Sequence, residues 1–378
     1  MSAHTTAWEE LVRHAAEDNI NYAPEPFFAL LDATNTSDVS VAFIWQGDLL
    51  TGMWPLRAAH TPRLPVKQLS TYYDSSHMMS SVPLLRSGYE SGSIEALLAW
   101  IHRESGAALF SFHEVTGKSA IAEMIDDTAQ RMGFSCERFA QSERAVLNKT
   151  TQPFADYYTE HTSSKRRNAI KRKRKKLAAH GHWHIRCYGP ECLQQSPPIA
   201  DFELCADWQP LLSDLVAVEA KSWKADHGSA IACNPEVHHY IAQLCEYAAR
   251  TDQLYLIAAY LDDTPVAAQL GLINDQDIMI YKLGFDESYK AQSPGLLLTY
   301  DMVSQIMQGN TPMGIDSCGD PSVRLYAETL HHRRRLWKTR YGIPRWRARA
   351  VHAGLRVARS CAHTARQLKN HRGADDHA

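Results

Sequence analysis

The sequence predicts an α/β (α+β) protein made of two tandem halves, each with a mixed sheet flanked by helices. Two observations support this fold class. The chain has 378 residues, of which 44% are hydrophobic, so it is long enough to bury two cores. Two stretches with little sequence identity also share a similar order of strands and helices, beginning with a pair of strands. The recurrence predicts that the two halves are related.

The first half begins with a helix around residues 7–16. The stretch VSVAFIWQGDLLTGMWPLRAA then predicts two strands joined at residues 46–48, because β-branched and aromatic residues supply half-buried faces. An irregular region rich in Pro, Ser and Tyr is expected at 61–90. A helix at 92–104, the strand ALFSFHEV and a helix at 118–132 complete this half.

The second half repeats the pattern. QLYLIAAYLDDTPVAAQLGLIN predicts two strands joined at residues 262–265, followed by a third strand at 278–284. A helix at about 295–308 and the strand MGIDSC come next. Between the halves we expect a basic helix at 163–180, an exposed connection and a helix at 209–224.

These elements predict four regions. The first is a degenerate half at 1–155, and the second is the basic helix with its connection at 156–200. The third is the half that carries the chemistry, at 201–350. The fourth is a basic C-terminal helix and tail at 351–378.

Composition limits the class of protein. The N-terminus has acidic residues and no uninterrupted apolar run, and no stretch approaches the about 18 apolar residues of a spanning helix, so we expect a cytoplasmic protein. The eight cysteines include no CxxC pair, which predicts free thiols. The nineteen histidines lack partners at zinc-ligand spacing, so no metal is expected.

Charge is distributed unevenly along the chain. The net charge is −2, yet SKRRNAIKRKRKKLAAHG holds nine Lys and Arg residues between Lys165 and Lys176, and residues 333–359 are basic again. The basic helix could be a nucleic-acid arm, could contact acidic lipid headgroups, or could join the halves with Ala169, Ile170 and Leu177 inward. We favour a joining helix whose charges steer anionic ligands, because the net charge does not suit a nucleic-acid binder.

The third predicted strand of the second half runs into a helix that opens with a turn poor in side chains. The first turn of a helix has unpaired N–H groups and a partial positive charge, so it attracts anions. Ser293 is expected to cap the helix, Pro294 suits its first position and Gly295 would let a ligand approach the backbone. Lys290 and Gln292 could assist. The turn therefore predicts a pyrophosphate site, although the same letters also suit an ordinary helix start.

The order of elements around this turn resembles the GNAT acyltransferase fold. VEAKSWK, KLGFDESYKAQSPGLLL, GIDSCGDP and the basic segment resemble the bacterial CelD-like acetyltransferase family, which is related to the tandem FemAB peptidyltransferases. The resemblance covers residues 35–345. It implies acetyl-CoA (acyl-CoA) bound at the helix N-terminus as co-substrate. The usual R/Q-x-x-G-x-G/A turn is absent, since only Gly295 remains.

Several residues are candidates for the chemistry. Asp316, at the end of a predicted strand, and Glu219, on a helix face shared with an aromatic side chain, are the candidate general bases. Cys318 could be a nucleophile or a structural thiol. Substrate contacts are expected from Trp223, Lys224, Lys282, Asp286, Tyr289, Ser317 and Arg324.

The expected activity is direct transfer of an acyl group, an acetyl group in the simplest case, to an amine or hydroxyl. The acceptor would be a small molecule or a glycan precursor, since the family name suggests polysaccharide or cell-envelope metabolism. Two alternatives stay open. A FemAB-like enzyme would take its acyl group from aminoacyl-tRNA, and a non-catalytic protein would retain the scaffold for binding. Nucleic acid is a partner only under these alternatives, and peripheral membrane contact remains open.

Overall fold

A computed structural model describes residues 4–61, 64–116, 119–190, 201–274, 277–309 and 313–344. Within these ranges, thirteen strands form one mixed sheet, accompanied by eleven α-helices. The mixed α/β fold class predicted from the sequence is confirmed.

The helices and strands follow one another in chain order. The helices are α1 (Thr5–Arg13), α2 (Pro24–Ala33), α3 (Glu90–Arg103), α4 (Ala120–Arg131), α5 (Phe154–His161), α6 (Ser164–Leu177), α7 (Gln209–Glu219), α8 (Trp223–Asp226), α9 (Pro235–Arg250), α10 (Pro294–Gln308) and α11 (Arg324–Thr329). The strands are β1 (Val39–Gln46), β2 (Leu49–Thr61), β3 (Leu64–Thr71), β4 (Leu84–Leu85), β5 (Leu109–Thr116), β6 (Ser135–Leu147), β7 (Trp183–Tyr188), β8 (Phe202–Leu204), β9 (Leu254–Leu261), β10 (Thr264–Asn274), β11 (Asp277–Phe285), β12 (Gly314–Asp316) and β13 (His332–Gly342).

The strand order joins the two halves into a continuous sheet. It runs β1-β2-β3-β5-β13-β6-β12-β11-β10-β9-β7-β8, and β4 pairs with β2. The predicted hairpins are both present, as β1 with β2 and β9 with β10. β6 and β12 form the antiparallel junction between the halves, and β11 and β12 are parallel. The halves therefore meet at β12.

Six elements that bear on the sheet and its cover were missed or misread in the sequence. The region 61–90, expected to be irregular, contains β3 and β4, and the predicted connection at 156–200 contains β7. The predictions also omitted β6, α9 and β13. β13 was read only as part of a basic tail, yet Arg334 and Leu336 are buried while Arg333 and Arg335 are exposed. This alternation of buried and exposed residues is typical of a strand. It was missed because the buried position at 334 is an arginine and not a hydrophobic residue.

β13 returns to the first half of the chain. It pairs with β5 on one side and with β6 on the other, both antiparallel. A strand that follows the second half in sequence thus completes the sheet of the first. The region predicted at 201–350 includes β13, and the four predicted regions stay predictions.

A buried cluster of ionic side chains lies where the halves meet. Asp316 of β12 is fully buried, and its Oδ2 is 2.8 Å from Nη1 of Arg334 and 3.8 Å from Nη1 of Arg144. Arg334 also donates through Nη2 to Oδ2 of Asp277, at 2.7 Å. These four residues lie on β12, β13, β6 and β11. A buried ion pair contributes little net stability, but the loss of one partner leaves an uncompensated charge.

We expect Asp316→Asn to lower the free energy of unfolding by at least about 3 kcal/mol, because both arginines would lose their shared carboxylate. Urea unfolding of wild type and variant measures this. The control is Asp38→Asn, which removes an ion pair of 2.6 Å between Asp38 and Arg57 whose side chains are 58% and 40% exposed. It should change stability little, since solvent screens exposed pairs. Equal effects of the two substitutions would contradict a linking role for Asp316.

Candidate functional site

A cavity opens where β11 and β12 part. β12 pairs only with the first three residues of β11, from Asp277 to Met279. Beyond Met279, β11 continues to Phe285 with β10 on one edge and no strand on the other edge among the described residues. Residues 280–285 line a cavity of about 650 Å³ beside this free edge.

Both halves of the chain contribute to the walls. From the first half come Tyr73, Ser75 and Met79 after β3, and residues 142–144 of β6. From the second half come residues 222–224, which lead into α8. The segment that follows β12 and part of α11 close the cavity, through Ser317, Cys318, Gly319, Asp320, Val323, Leu325 and Tyr326.

The N-terminus of α10 adjoins one end of this cavity. Pro294 occupies the first position of the helix, as predicted. Gly295 is buried, and a side chain built on it would meet Phe285 at 3.5 Å and Leu325 at 3.7 Å, two residues that line the cavity. The first turn of α10 is therefore held against the cavity wall by packing.

The predicted capping hydrogen bond of Ser293 is wrong. Ser293 does precede α10, but its φ is +55° and its side chain makes no capping hydrogen bond. Its Oγ instead accepts a hydrogen bond from Nζ of Lys173 and lies 3.3 Å from the carbonyl oxygen of Lys290. The side chain that a cap would need is thus turned toward the basic helix.

The basic helix α6 packs against α10 and brings cationic groups to its N-terminus. Arg174 donates two hydrogen bonds to Asp301 of α10, at 3.1 and 2.5 Å, and Nε1 of Trp183 donates to the same carboxylate at 3.0 Å. Lys173 lies beside Arg174 on this inner face. Burial and the charge of Arg324 lower the pKa of Lys173, whereas the charge of Glu328, the ion-pair partner of Arg324, opposes this shift. A phosphate group at the turn would pair with the ammonium of Lys173.

Other residues predicted to hold the coenzyme are arranged around the same turn. Lys290 is exposed and forms an ion pair of 2.9 Å with Glu287. Gln292 lies 3.3 Å from Nε2 of His180, which faces the ring of Tyr289 at 5.6 Å between centroids. These groups lie close to the helix N-terminus without a direct contact to the cavity, since none of them is among its lining residues.

Glu219, a predicted base, is buried behind the cavity wall. It is 1% exposed, and its carboxylate accepts hydrogen bonds from Nζ of Lys224 and from N–H of Ile231, the latter at 2.8 Å. Lys224 Nζ also donates to the carbonyl oxygen of Leu283 at 2.8 Å. A side chain at Gly284 would meet the Glu219 backbone at 3.1 Å, so glycine permits this close approach.

The second predicted base, Asp316, does not line the cavity either. Besides the arginines on Oδ2, its Oδ1 accepts a hydrogen bond from N–H of Cys318 at 2.8 Å. Asp286, expected to contact substrate, is buried and accepts from N–H of Ser288 at 2.9 Å. Arg324 pairs with Glu328 at 2.7 Å. The predicted residues that do line the cavity are Trp223, Lys224, Lys282 and Ser317.

Sequence reasoning missed Lys173, and it considered Tyr326 only as a contact to an anionic acceptor. Lys173 shares a helix face with Ile170, Arg174 and Leu177, and this spacing in the sequence could have identified it. Tyr326 lines the cavity from α11, and burial raises the pKa of its phenol. No pattern in the sequence distinguishes Tyr326 from the other tyrosines, because its position depends on how the halves meet.

The sequence also gave expectations about cysteine reactivity, metal binding and membrane-spanning helices. Burial raises the pKa of the Cys318 thiol to about 12, which makes it a poor nucleophile. The six cysteines among the described residues are free, and Cys192 and Cys361 lie outside those residues. In the part of the chain that the structure describes, no three His, Cys, Asp or Glu side chains are arranged to hold a metal. None of the described helices has the length and apolar character to cross a bilayer.

Comparisons with known proteins identify a domain and a fold. Residues 164–319 match the family model of the acetyltransferase (GNAT) domain. A search of curated protein sequences finds no significant match. The C-terminal domain of a candidate lysylphosphatidylglycerol synthetase from Agrobacterium fabrum is similar in structure, with a TM-score of 0.50, 12% identity and coverage of 93% of this chain and 95% of that one.

Two further solved structures are similar. L-PGS from Bacillus licheniformis has a TM-score of 0.50 and 12% identity, with coverage of 90% of this chain and 92% of that one. FemX has a TM-score of 0.49 and 8% identity, with coverage of 89% and 95%. At these identities the first two show the fold alone. Residues 164–319 therefore match a GNAT-type acetyltransferase domain, and the chain shares its fold with the two solved structures of TM-score 0.50.

Proposed function

We propose that the protein transfers an acyl group, in the simplest case acetyl, from acyl-CoA to an amine or hydroxyl acceptor bound in the cavity. One observation carries this proposal. The N-terminus of α10, supplied with Lys173 by the basic helix, adjoins the cavity that begins at the free edge of β11. An anion site beside the cavity, and a strand edge within it that has no neighbouring strand among the described residues, suit a long donor with a phosphate end and a reactive end.

The phosphate end of the donor would bind at α10. A helix N-terminus offers N–H groups and a partial positive charge, and it commonly binds phosphate. Lys173 adds a cation beside it, since its Nζ donates to Oγ of Ser293. The glycine-rich turn expected of the fold is reduced here to Gly295. We propose that Lys173 compensates for the missing turn by supplying a side-chain donor where other backbone N–H groups would lie.

The thioester end would lie along β11. The free edge of residues 280–285 offers backbone N–H groups that can polarise a carbonyl oxygen as negative charge develops on it. The acceptor attacks the carbonyl carbon and gives up its proton to solvent, and the carbon–sulfur bond of the tetrahedral intermediate then breaks. The departing thiolate takes a proton from the phenol of Tyr326, which burial favours in its protonated form, and the phenolate regains a proton from solvent.

We assign positioning roles to the two carboxylates that the sequence suggested as bases. A base must reach the proton that it removes, and neither Glu219 nor Asp316 lines the cavity. Glu219 fixes Lys224 against the carbonyl oxygen of Leu283. Asp316 fixes the arginines at the junction of the halves. Both would act on the reaction by holding the walls of the cavity in place.

Lys173→Gln should weaken the binding of acetyl-CoA at least about tenfold, because it removes a charge-assisted contact with phosphate. Isothermal calorimetry on the purified protein measures the affinity. The matched control is Lys171→Gln, which removes the same charge from the exposed face of the same helix and should have little effect.

Two results would contradict this placement of the donor. One is equal loss of affinity in both variants, which would indicate non-specific attraction to the basic helix. The other is an absence of acetyl-CoA binding to the wild type, which would exclude the coenzyme as donor.

Tyr326→Phe should lower kcat about 100-fold while leaving the affinity for acetyl-CoA unchanged, since it removes the proton donor and keeps the ring. Release of free thiol from acetyl-CoA in the presence of an acceptor amine measures the rate. Tyr300→Phe is the control, because Tyr300 packs against Phe154 and Tyr158 away from the cavity. An unchanged kcat in the Tyr326 variant would remove Tyr326 from the mechanism.

A second candidate donor is aminoacyl-tRNA, and the outer face of α6 favours it. Six basic side chains of this helix are exposed to solvent: Lys165, Arg166, Lys171, Arg172, Lys175 and Lys176. Contact with several backbone phosphates would make binding fall steeply with salt. Tight, salt-sensitive binding of charged tRNA, without acetyl-CoA binding, would select this donor. The CelD-like assignment and an acceptor from polysaccharide metabolism stay predictions from the resemblance of the sequence.

A further inference from the structure

Lys282 is a cation in the cavity without an acidic partner. It lines the cavity from β11, at the point where the register with β10 shifts by one residue at Tyr281. A bulge of this kind redirects side chains. The ammonium of Lys282 lies 5.0 Å from the centroid of the Tyr281 ring. Among the residues that the structure describes, no carboxylate or hydrogen-bond acceptor lies within bonding distance of it.

The acidic groups nearest to Lys282 are already engaged. Glu219 is paired with Lys224 and with N–H of Ile231. Asp74 accepts hydrogen bonds from N–H of Ser76 at 2.8 Å, and its Oδ1 lies 3.1 Å from Nδ1 of His77. The remaining charged neighbour is Lys224, a second cation. Neither of these carboxylates is therefore free to pair with Lys282 in the part of the chain that the structure describes.

A half-buried cation without an ion-pair partner has a cost in free energy. The pKa of Lys282 is lowered by burial and by the charge of Lys224, against the opposing charges of Glu219 and Asp74. A ligand with an anionic group would remove the cost when it binds. The phosphates of the proposed donor have their own site at Lys173 and the N-terminus of α10, since none of these residues is among those that line the cavity with Lys282. The acceptor is therefore the ligand that can pair with the ammonium of Lys282.

We propose that the acceptor of the acyl group carries a carboxylate or phosphate group, which pairs with the ammonium of Lys282. That the anionic ligand is an acyl acceptor rests on the proposed function. The anion site at Lys282 itself does not depend on whether the protein transfers acyl groups. Lys282 selects acceptors by charge, and it orients the nucleophile toward the free edge of β11. A neutral analogue of the acceptor would leave the lysine unpaired and bind more weakly.

The experiment is competitive labelling of lysines in the full-length protein, without coenzyme. The protein is treated with a trace of acetic anhydride in the presence of succinate, inorganic phosphate or the neutral succinamide. Mass spectrometry then measures modification of Lys282 and of Lys171, an exposed lysine on α6 that serves as the internal control. We expect an anionic probe to lower labelling of Lys282 at least about fivefold, since an ion pair buries the amine. Labelling of Lys171 should not change.

The two anionic probes distinguish the possible ligand groups. Protection by succinate alone assigns a carboxylate, and protection by phosphate alone assigns a phosphate. Protection by succinamide as strong as that by succinate would overturn the proposal. It would also be overturned if no probe protected Lys282, or if Lys282 were unlabelled in the free protein.

Variants test whether the charge itself binds the probe. Lys282→Met should weaken binding of the protecting probe at least about tenfold by calorimetry, and Lys282→Arg should restore most of the affinity. Lys171→Met is the matched control with unchanged affinity. Thermal unfolding checks that each variant is folded. Because no coenzyme is present, protection of Lys282 together with failure to bind acetyl-CoA would contradict the proposed donor and leave the anion site standing.

Discussion

The Asp316 carboxylate fixes the point at which β12 leaves β11, and the cavity depends on this point. Its Oδ2 is held by arginines of β13 and β6, and its Oδ1 holds N–H of Cys318. The chain then turns toward the first half, where N–H of Ser317 donates to the carbonyl oxygen of Ala145 at 3.0 Å. Among the described residues, no strand pairs with this edge of β11 from Ile280 to Phe285, which is two thirds of its length. Backbone groups at such an edge need partners, and a substrate can supply them.

The basic helix packs against α10. A run of nine Lys and Arg residues in twelve positions suggests a solvated helix or an arm for a polyanion. The structure divides the run between two faces. Lys173 and Arg174 face inward, with Arg174 engaged by the buried Asp301, Arg167 donates to the carbonyl oxygen of Thr162, and the other six charges face solvent. Under the proposed function, the outer charges attract the anionic donor and Lys173 binds it.

The elements that the sequence predicted well are those with strong local signals. The hairpins, α10 and the basic helix each combine a hydrophobic period with a clear turn or charge signal, and each appears near its expected position. β13 and α9 were missed. Arg334 is buried because it pairs with Asp316 and Asp277, which are distant in the sequence, so its burial could not be predicted locally. The candidate site follows the same rule: Lys224 and Lys282 were identified from local motifs, whereas Tyr326 and the first-half wall depend on tertiary packing.

We propose that the donor's phosphates bind at the N-terminus of α10, and a crystal structure of the protein with acetyl-CoA would test this binding site. In that structure, we expect phosphate oxygens within hydrogen-bonding distance of the first N–H groups of α10 and of Nζ of Lys173. The thioester should lie beside residues 280–285 of β11. A coenzyme bound elsewhere, with the N-terminus of α10 and the free edge of β11 both left without contact, would contradict it.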